Sequence, residues 1–265
     1  MARIVLKGVF RLTVDSDGDT IHFLPDNGDL VGQKNGDFRV RLEAIDAPEK
    51  GYRPVGARMK GQAQPHFKMA SVGLNKFLGL GRRKQARGFI FAADEDSRQR
   101  LVAFAFPGDT DLGDGTIVEL TPKSVEKSAN VHLLQSGLAF PCFYKRLDLG
   151  VRQYLRDISR AARQTRAGIL SRDQTTIGFE TTSMGAVTRI LMWPKLFRRL
   201  VEFFAGRSRE PYREAVLKNF LASKTYDRIW VAPDNRPARL LDVLVFSDSS
   251  IRLSVAPEDI VLNEH

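Results

Sequence analysis

Four acidic residues and one arginine have the types and spacing that phosphate chemistry uses. Asp17 and Asp19 lie in one short turn. Asp46 and Glu49 follow the alternating segment that contains Arg41. Carboxylate and carbonyl oxygens are the ligands that Ca²⁺ takes in proteins, and the planar guanidinium of arginine binds phosphate through paired hydrogen bonds. The set therefore favours a site for a hard cation and a phosphodiester.

Predicted β-strands position both groups. Residues 3–14 and 20–24 are predicted strands on either side of the acidic turn, because apolar and polar residues alternate in them. Residues 38–45 alternate strictly between apolar and charged side chains, which is typical of a strand with one buried face. Pro48 stops this strand. The acidic residues that flank the proline are thus expected just past a strand end.

The rest of the chain divides into two predicted units, residues 1–172 and about 185–265. In the first, periodicity predicts a helix at 62–79, strands at 86–93, 100–106 and 116–120, a helix at 123–136 ended by Gly137, and an amphipathic helix with a basic, solvated outer surface at 149–169. Residues 171–186, rich in Ser, Thr and Gly, are predicted to be a linker. Beyond it we predict a helix from Pro194, a helix at 210–222, and strands at 228–232, 239–246 and 250–255.

The motifs around the acidic residues resemble the staphylococcal-nuclease-like (thermonuclease) family. Two segments carry the resemblance, residues 14–20 (Val-Asp-Ser-Asp-Gly-Asp-Thr) and residues 41–49 (Arg-Leu-Glu-Ala-Ile-Asp-Ala-Pro-Glu). Residues 130–139 look like the family's second helix and its Gly-Leu-Ala exit, and the order of elements also matches. The resemblance covers about residues 5–170 and says nothing about the remaining third.

The resemblance implies an α+β fold. Residues 1–172 are expected to form an OB-type five-stranded β-barrel with three helices, an architecture that commonly binds oligonucleotides on one face. Residues 185–265 are expected to add a small α+β C-terminal domain. Its apolar helix, within residues 190–204, is favoured as core because three predicted strands nearby need covering. Docking of a partner on this helix is the next alternative and a helix lying on a membrane surface is the weakest, so no stable membrane association is expected.

The resemblance also implies a Ca²⁺-dependent endonuclease that hydrolyses phosphodiester bonds of DNA and/or RNA. Carried over to this sequence, Asp17 and Asp46 ligate Ca²⁺ together with the carbonyl oxygen of Ala47. Asp19 lies close to the metal and contacts it through water. Glu49 is the general base that takes a proton from the attacking water.

Arginines are the residues that the resemblance assigns to the phosphate. Arg41 binds it and neutralises the charge that develops in the transition state. Arg100 aligns with a second phosphate arginine of the family. The matching segment, residues 96–100, lacks the Tyr and Gly of the family's motif, so Arg98 is an alternative for that role.

Three further residues are candidates for substrate binding. The family stacks tyrosines on the nucleotide after its Gly-Leu-Ala exit, and here Phe143 and Tyr144 stand in an altered register. Lys60 belongs to a basic loop after the candidate base. That loop either holds the substrate backbone through salt-sensitive contacts or is simply solvated.

The composition suits an anionic partner. The chain has 41 Lys and Arg against 31 Asp and Glu, a net charge of +10 that lies mostly in its first two thirds. A hydrophobic fraction of 43% excludes a wholly disordered chain. The single cysteine, Cys142, excludes an intrachain disulfide framework and a cysteine-rich zinc site. No signal peptide is seen, which together with the one cysteine predicts a cytoplasmic location.

Two alternatives stay open beside the nuclease. One is a catalytically silent scaffold that binds nucleic acid without needing Ca²⁺ and leaves it intact. The other is a toxin or defence effector nuclease controlled by its C-terminal domain. No second catalytic constellation stands in residues 174–265. We therefore expect this unit to target, regulate or oligomerise the nuclease, through a protein partner or through self-association.

Overall fold

The computed structural model describes residues 2–13, 17–31, 36–54, 63–207, 212–225, 227–232, 234 and 236–263. Its elements are, in order, β1 (Ala2–Arg11), β2 (Thr20–Pro25), β3 (Phe38–Leu42), β4 (Ile45–Asp46), α1 (Phe67–Phe77), β5 (Gln85–Glu95), β6 (Leu101–Pro107), β7 (Ile117–Glu119), α2 (Pro122–Val125), α3 (Ala129–Gln135), β8 (Phe140–Pro141), β9 (Phe143–Tyr144) and α4 (Leu149–Gln164). They continue with β10 (Phe179–Glu180), α5 (Met184–Thr188), α6 (Pro194–Ala205), α7 (Glu214–Ala222), β11 (Arg228–Val231), β12 (Arg236–Arg239), β13 (Leu244–Ser247), β14 (Ser250–Leu253) and β15 (Ile260–Leu262). The protein is a mixed α+β fold, as predicted.

Five strands close into a barrel. Strand β1 pairs antiparallel with β2 and β5, β2 pairs antiparallel with β3, and β5 pairs antiparallel with β6. A parallel pairing of β3 with β6 completes the ring, and β7 extends β1. The closed five-stranded barrel with its helices is compatible with the OB-like fold that the sequence predicts.

Strand β3 and the turn that follows it place candidate site residues at one end of the barrel. The strand shows the predicted alternation, with buried apolar side chains on either side of exposed Arg39 and half-buried Arg41. It ends at Leu42 and not at residue 45, because Ala44 adopts a left-handed conformation with φ 67°. The chain turns there, and β4 pairs antiparallel with β8. This turn brings Asp46 back beside the end of β3.

Two helix predictions are corrected at their boundaries. Residues 123–136 form two helices, because Ser128 is extended (ψ 157°) and its side chain caps α3 by accepting a hydrogen bond from the Val131 amide. Gly137 ends α3 with φ 61°, as predicted. The helix predicted at 149–169 ends at Gln164. Its arginines are not simply solvated, since Arg163 forms ion pairs with Asp173 and Glu258.

The segment predicted as a linker, residues 171–186, is structured. Asp173 and Thr175 are buried in it, and the Thr175 amide donates to a carboxylate oxygen of Asp173. Strand β10 pairs with β14, and α5 follows. The prediction of a linker is wrong because the small polar residues that indicate loops also serve as helix caps and turn residues inside packed structure.

The C-terminal strands differ from the prediction in number and in position. The strand predicted at 239–246 is divided into β12 and β13 by a short 3₁₀ turn at Leu240–Val243. Strand β15 was not predicted. It pairs antiparallel with β11 and parallel with β9. The pairing with β9 joins the C-terminal strands directly to the N-terminal unit.

Helix α6 contributes to an apolar core that both predicted units share. Trp193, Phe197 and Leu200 are fully buried, and they belong to the same cluster as Phe140 and Cys142 of the first unit. The indole nitrogen of Trp193 donates to the Pro141 carbonyl at 3.2 Å. The packing thus agrees with the interpretation of this helix as part of the core. In the described part of the chain, no helix is long and apolar enough to cross a membrane.

Candidate active site

A cavity of about 370 Å³ lies at one end of the barrel, between the end of β3, the turn after β5, and α6. It brings together most of the candidates named from the sequence, and its lining includes Asp17, Asp19, Arg41, Ala47, Glu49, Arg98, Arg100 and Tyr144. Asp46 lies directly behind the lining, 1% exposed, and is hydrogen-bonded to Arg41. Phe143 is not brought to the cavity, because its side chain is fully buried in the barrel core. Lys60 lies outside the described residues.

The acidic turn is held by close packing against its neighbours. A Cβ atom at Gly18 would lie 2.5 Å from the Cβ of Ala70 in α1 and 2.6 Å from the Cβ of Ala47, so only glycine fits this approach. Asp19 is buried and accepts a hydrogen bond from the Ala47 amide at 2.7 Å. Its own amide donates to Asp17 at 3.2 Å. The two carboxylates are therefore fixed at the cavity wall.

The surroundings of Asp17 disfavour the charged form of its carboxyl group. Burial, together with the neighbouring negative charge of Asp19, raises the pKa of Asp17 from its ordinary value to about 7. The group is thus partly protonated near neutral pH. Nearby positive charge, from a substrate-bound ion or an added cation, would favour its carboxylate form.

Arg41 links the acidic turn to the second acidic segment. Its guanidinium pairs with Asp19 through one terminal nitrogen. Through the other it donates to the Asp46 carboxylate at 2.8 Å and to the Ile45 carbonyl at 3.0 Å. Strands β3 and β4 approach each other because the chain turns at the left-handed Ala44. Arg41 of β3 can therefore bond to β4 and still line the cavity.

A second guanidinium, from α6, holds Asp46 and Glu49. Arg198 donates to both carboxylate oxygens of Asp46, at 3.1 and 2.7 Å, and to Glu49 at 2.6 Å. Burial alone would raise the pKa of Asp46, but the charges of Arg198 and Arg41 outweigh it and hold that pKa at about 2. Asp46 is therefore a permanent carboxylate.

Glu49 stands at the junction of the two predicted units. Its amide donates to the side-chain oxygen of Gln64 at 3.0 Å, and the amide nitrogen of Gln64 donates to the Met192 carbonyl at 2.7 Å. Burial raises the pKa of Glu49, although the ion pair with Arg198 works in the opposite direction. A raised pKa makes a carboxylate a better proton acceptor than an exposed glutamate.

The turn after β5 brings Arg100 to the cavity. Arg100 donates to Asp96 through two nitrogens, at 2.9 and 2.7 Å, and to the Thr20 hydroxyl at 3.2 Å. Gln99 adopts a left-handed conformation (φ 56°) where the family's motif has glycine, so the turn is made without that glycine. Arg98 also lines the cavity, and its side chain is exposed.

A separate buried ionic cluster supports α6 next to the cavity. Asp227 is 2% exposed and accepts hydrogen bonds from Arg199 at 2.5 and 2.7 Å. Lys195 approaches the same carboxylate at 3.0 Å. Tyr52 and Arg199 both donate to Glu202, at 2.5 and 2.9 Å. The cluster fixes the polar face of α6 against the barrel.

Replacing Asp227 by alanine is expected to lower the free energy of unfolding by about 3–5 kcal/mol, because Lys195 and Arg199 would lose a buried counter-charge. Urea denaturation of the full chain measures it. The control is Asp157→Ala, which removes an exposed 3.8 Å pair with Arg160 and should cost at most about 1 kcal/mol. Equal effects of the two substitutions would contradict the structural role of the cluster.

The donor groups, as they are placed, do not fit a calcium ion. Both oxygens of Asp46 are engaged by guanidinium groups, Asp19 is engaged by Arg41 and the Ala47 amide, and one oxygen of Glu49 is engaged by Arg198. Across the described residues, no three His, Cys, Asp or Glu side chains are arranged to hold a metal ion. Calcium binding by Asp17, Asp46 and Ala47 stays a prediction of the sequence.

Arg198 is among the residues of this cavity that the sequence does not indicate, together with Arg146, Lys195 and Arg199. In the sequence Arg198 stands within a mostly apolar segment, residues 190–204. The signal that could have revealed it is the spacing of Lys195, Arg198, Arg199 and Glu202, which recur at helical intervals on an otherwise apolar helix. A charged stripe on a buried helix needs partners elsewhere in the fold. Here Arg198 pairs with Asp46 and Glu49, whereas Lys195 and Arg199 pair with Asp227 of the separate cluster.

Comparison with known proteins assigns no family. No protein-family model matches the chain, and no curated protein matches it. The chemical interpretation of the cavity therefore depends on the residues that line it.

Proposed function

We propose that the chain is a nuclease that hydrolyses phosphodiester bonds of DNA and/or RNA in this cavity. The observation that carries the proposal is the meeting of Glu49, Arg41 and Arg100 in one cavity, the first two from residues 41–49 and the third from the turn after β5. A carboxylate that can accept a proton and guanidinium groups that can bind phosphate are the components that in-line attack by water requires.

The cavity wall is suited to an anionic substrate. Basic side chains from β3, from the turns before β6 and before α4, and from α6 line it together, namely Arg41, Arg98, Arg100, Arg146, Lys195, Arg198 and Arg199. Carboxylates already orient several of these guanidinium groups, so their remaining N–H donors are held in fixed directions. Donors fixed in advance stabilise the charge of a phosphoryl transition state without reorganisation during the reaction.

A non-catalytic nucleic-acid scaffold is the second candidate. The ion pair between Arg198 and Glu49 favours it, because the guanidinium charge stabilises the carboxylate and opposes the rise in its pKa that burial causes. Such a scaffold would use the same basic wall for the phosphate backbone.

Incubation of the purified full-length protein with plasmid, single-stranded DNA and RNA tests the proposal. Each reaction is run in CaCl₂, MgCl₂ or EDTA, so that the calcium requirement expected from the resemblance is measured in the same assay. We expect cleavage of at least one substrate. Intact substrates in every condition, together with salt-sensitive binding, would contradict the nuclease and leave the scaffold.

A further inference from the structure

The cavity is completed by a helix from outside the segment that resembles nucleases. The resemblance ends near residue 170, yet Arg198 of α6 makes three hydrogen bonds to Asp46 and Glu49, at 2.6–3.1 Å. These are two of the residues that the resemblance assigns to the metal and to the general base. A cation from the C-terminal third thus stands where the resemblance leads one to expect a metal.

The charges of the site form an alternating chain. Asp19 pairs with Arg41, Arg41 pairs with Asp46, Asp46 pairs with Arg198, and Arg198 pairs with Glu49. Three carboxylates and two guanidinium groups leave one net negative charge. Without Arg198 the net charge of these groups would change from one negative charge to two, and both Asp46 and Glu49 would lose a partner. Arg198 therefore supplies the neutralisation that a bound cation would otherwise supply.

Arg198 is held in place by a well-packed helix. Its neighbours Phe197 and Leu200 are fully buried in the core shared by both predicted units. Trp193 and Met192, just before the helix, are tied to the barrel unit through Pro141 and Gln64. Moving the arginine out with its helix would break this core. The packing thus holds the backbone of Arg198 beside Asp46 and Glu49.

We propose that Arg198 takes the place of a divalent cation at Asp46 and Glu49. An arginine carries its charge at every relevant pH and does not exchange with solvent. The carboxylates use three of its five N–H donors, which leaves donors for a phosphate oxygen. Under the proposed function, on which this part depends, the wild-type protein hydrolyses its substrate without a calcium ion at these residues.

Calorimetric titration of the full chain with CaCl₂ tests the substitution of a cation by Arg198. We expect no saturable calcium binding by the wild-type protein below about 1 mM. Arg198→Met should bind at least roughly tenfold more tightly, because it adds a net negative charge and frees Glu49 and one oxygen of Asp46, whose other oxygen stays bonded to Arg41. Arg198→Lys keeps the charge and should behave as wild type. The matched control is Arg98→Met, which removes a cavity cation that contacts neither carboxylate.

Saturable calcium binding by the wild-type protein that Asp46→Asn abolishes would overturn the inference. So would an Arg198→Met protein that melts cooperatively and binds no calcium. If Arg198→Met does not fold, the wild-type and Arg198→Lys titrations decide alone, since binding by either at Asp46 overturns the inference and the absence of binding in both supports it. Cleavage with equal rates in EDTA and CaCl₂ is the second expected result.

The two proposals fail separately. The titration needs no substrate, so it gives its answer whether or not the protein is a nuclease. Failure to cleave any nucleic acid contradicts the proposed function only. Cleavage that requires CaCl₂ would keep the nuclease and overturn the role given to Arg198.

Discussion

Replacing Glu49 by glutamine is expected to lower the rate of phosphodiester hydrolysis by about 10²–10⁴-fold. The amide cannot take a proton from the attacking water. Its oxygen can still accept the hydrogen bond that Arg198 donates at 2.6 Å in the wild-type protein, so the fold should be kept. Single-turnover rates on the best substrate measure the effect, and a thermal melt of the same preparation checks the fold.

The matched control for Glu49→Gln is Glu95→Gln. Glu95 is also a glutamate of the cavity lining, but it lies at the end of β5, outside the alternating chain of charges. We expect it to keep nearly the wild-type rate. A near-normal rate for Glu49→Gln would contradict its assignment as the base, and a large loss for Glu95→Gln would transfer the role to that residue.

Truncation after residue 172 is expected to give a protein that does not fold cooperatively. The deletion removes α6 and β15 and exposes the faces of Phe140 and Cys142 that pack against them. Loss of a single buried aromatic such as Trp193 costs about 3–5 kcal/mol, while the whole stability of a domain is about 5–15 kcal/mol. Circular dichroism during heating, together with the soluble yield, measures the outcome.

Supplying the missing half separately is the control for the truncation. Residues 173–265 co-expressed with residues 1–172 should restore a soluble complex if the shared core is what the truncation destroys. A soluble 1–172 fragment with a sharp thermal transition would contradict the argument. It would also establish the two-domain division that the sequence predicts at this point.

Features set by neighbours in the sequence were predictable. The alternation in β3, the acidic turn before β2, and the helix that begins at Pro194 all appear where the pattern indicates them. Each depends on local rules, namely the period of side-chain directions and the fixed φ of proline. The barrel followed from the order of these elements together with the family resemblance.

Features set by distant partners were not predictable in the same way. Glu49 and Arg198 meet across 149 residues, and no local pattern shows which carboxylates a buried arginine will reach. The ion pairs on the basic face of α4 were not predictable for the same reason. Arg163 was expected in solvent, but its partner Glu258 lies 95 residues further along the chain. A charge stripe predicts that partners exist without identifying them.

The sequence also does not determine which of the two aromatic residues of β9 faces the cavity. Phe143 and Tyr144 are adjacent, so in a strand they face opposite sides. The structure turns Phe143 into the barrel core and Tyr144 to the cavity. Either assignment was compatible with the sequence, because the choice depends on how β9 pairs with β15, more than 110 residues later.

That pairing has a consequence for how the protein matures during its synthesis. Polypeptides emerge from the ribosome N-terminus first, so β9 is made long before its partner at Ile260–Leu262. The arginine that completes the cavity also arrives late, at residue 198. A nascent chain therefore carries the acidic turn and Arg41 well before it carries a finished site. Under the proposed nuclease function, the cavity would therefore be complete only after translation has passed residue 198.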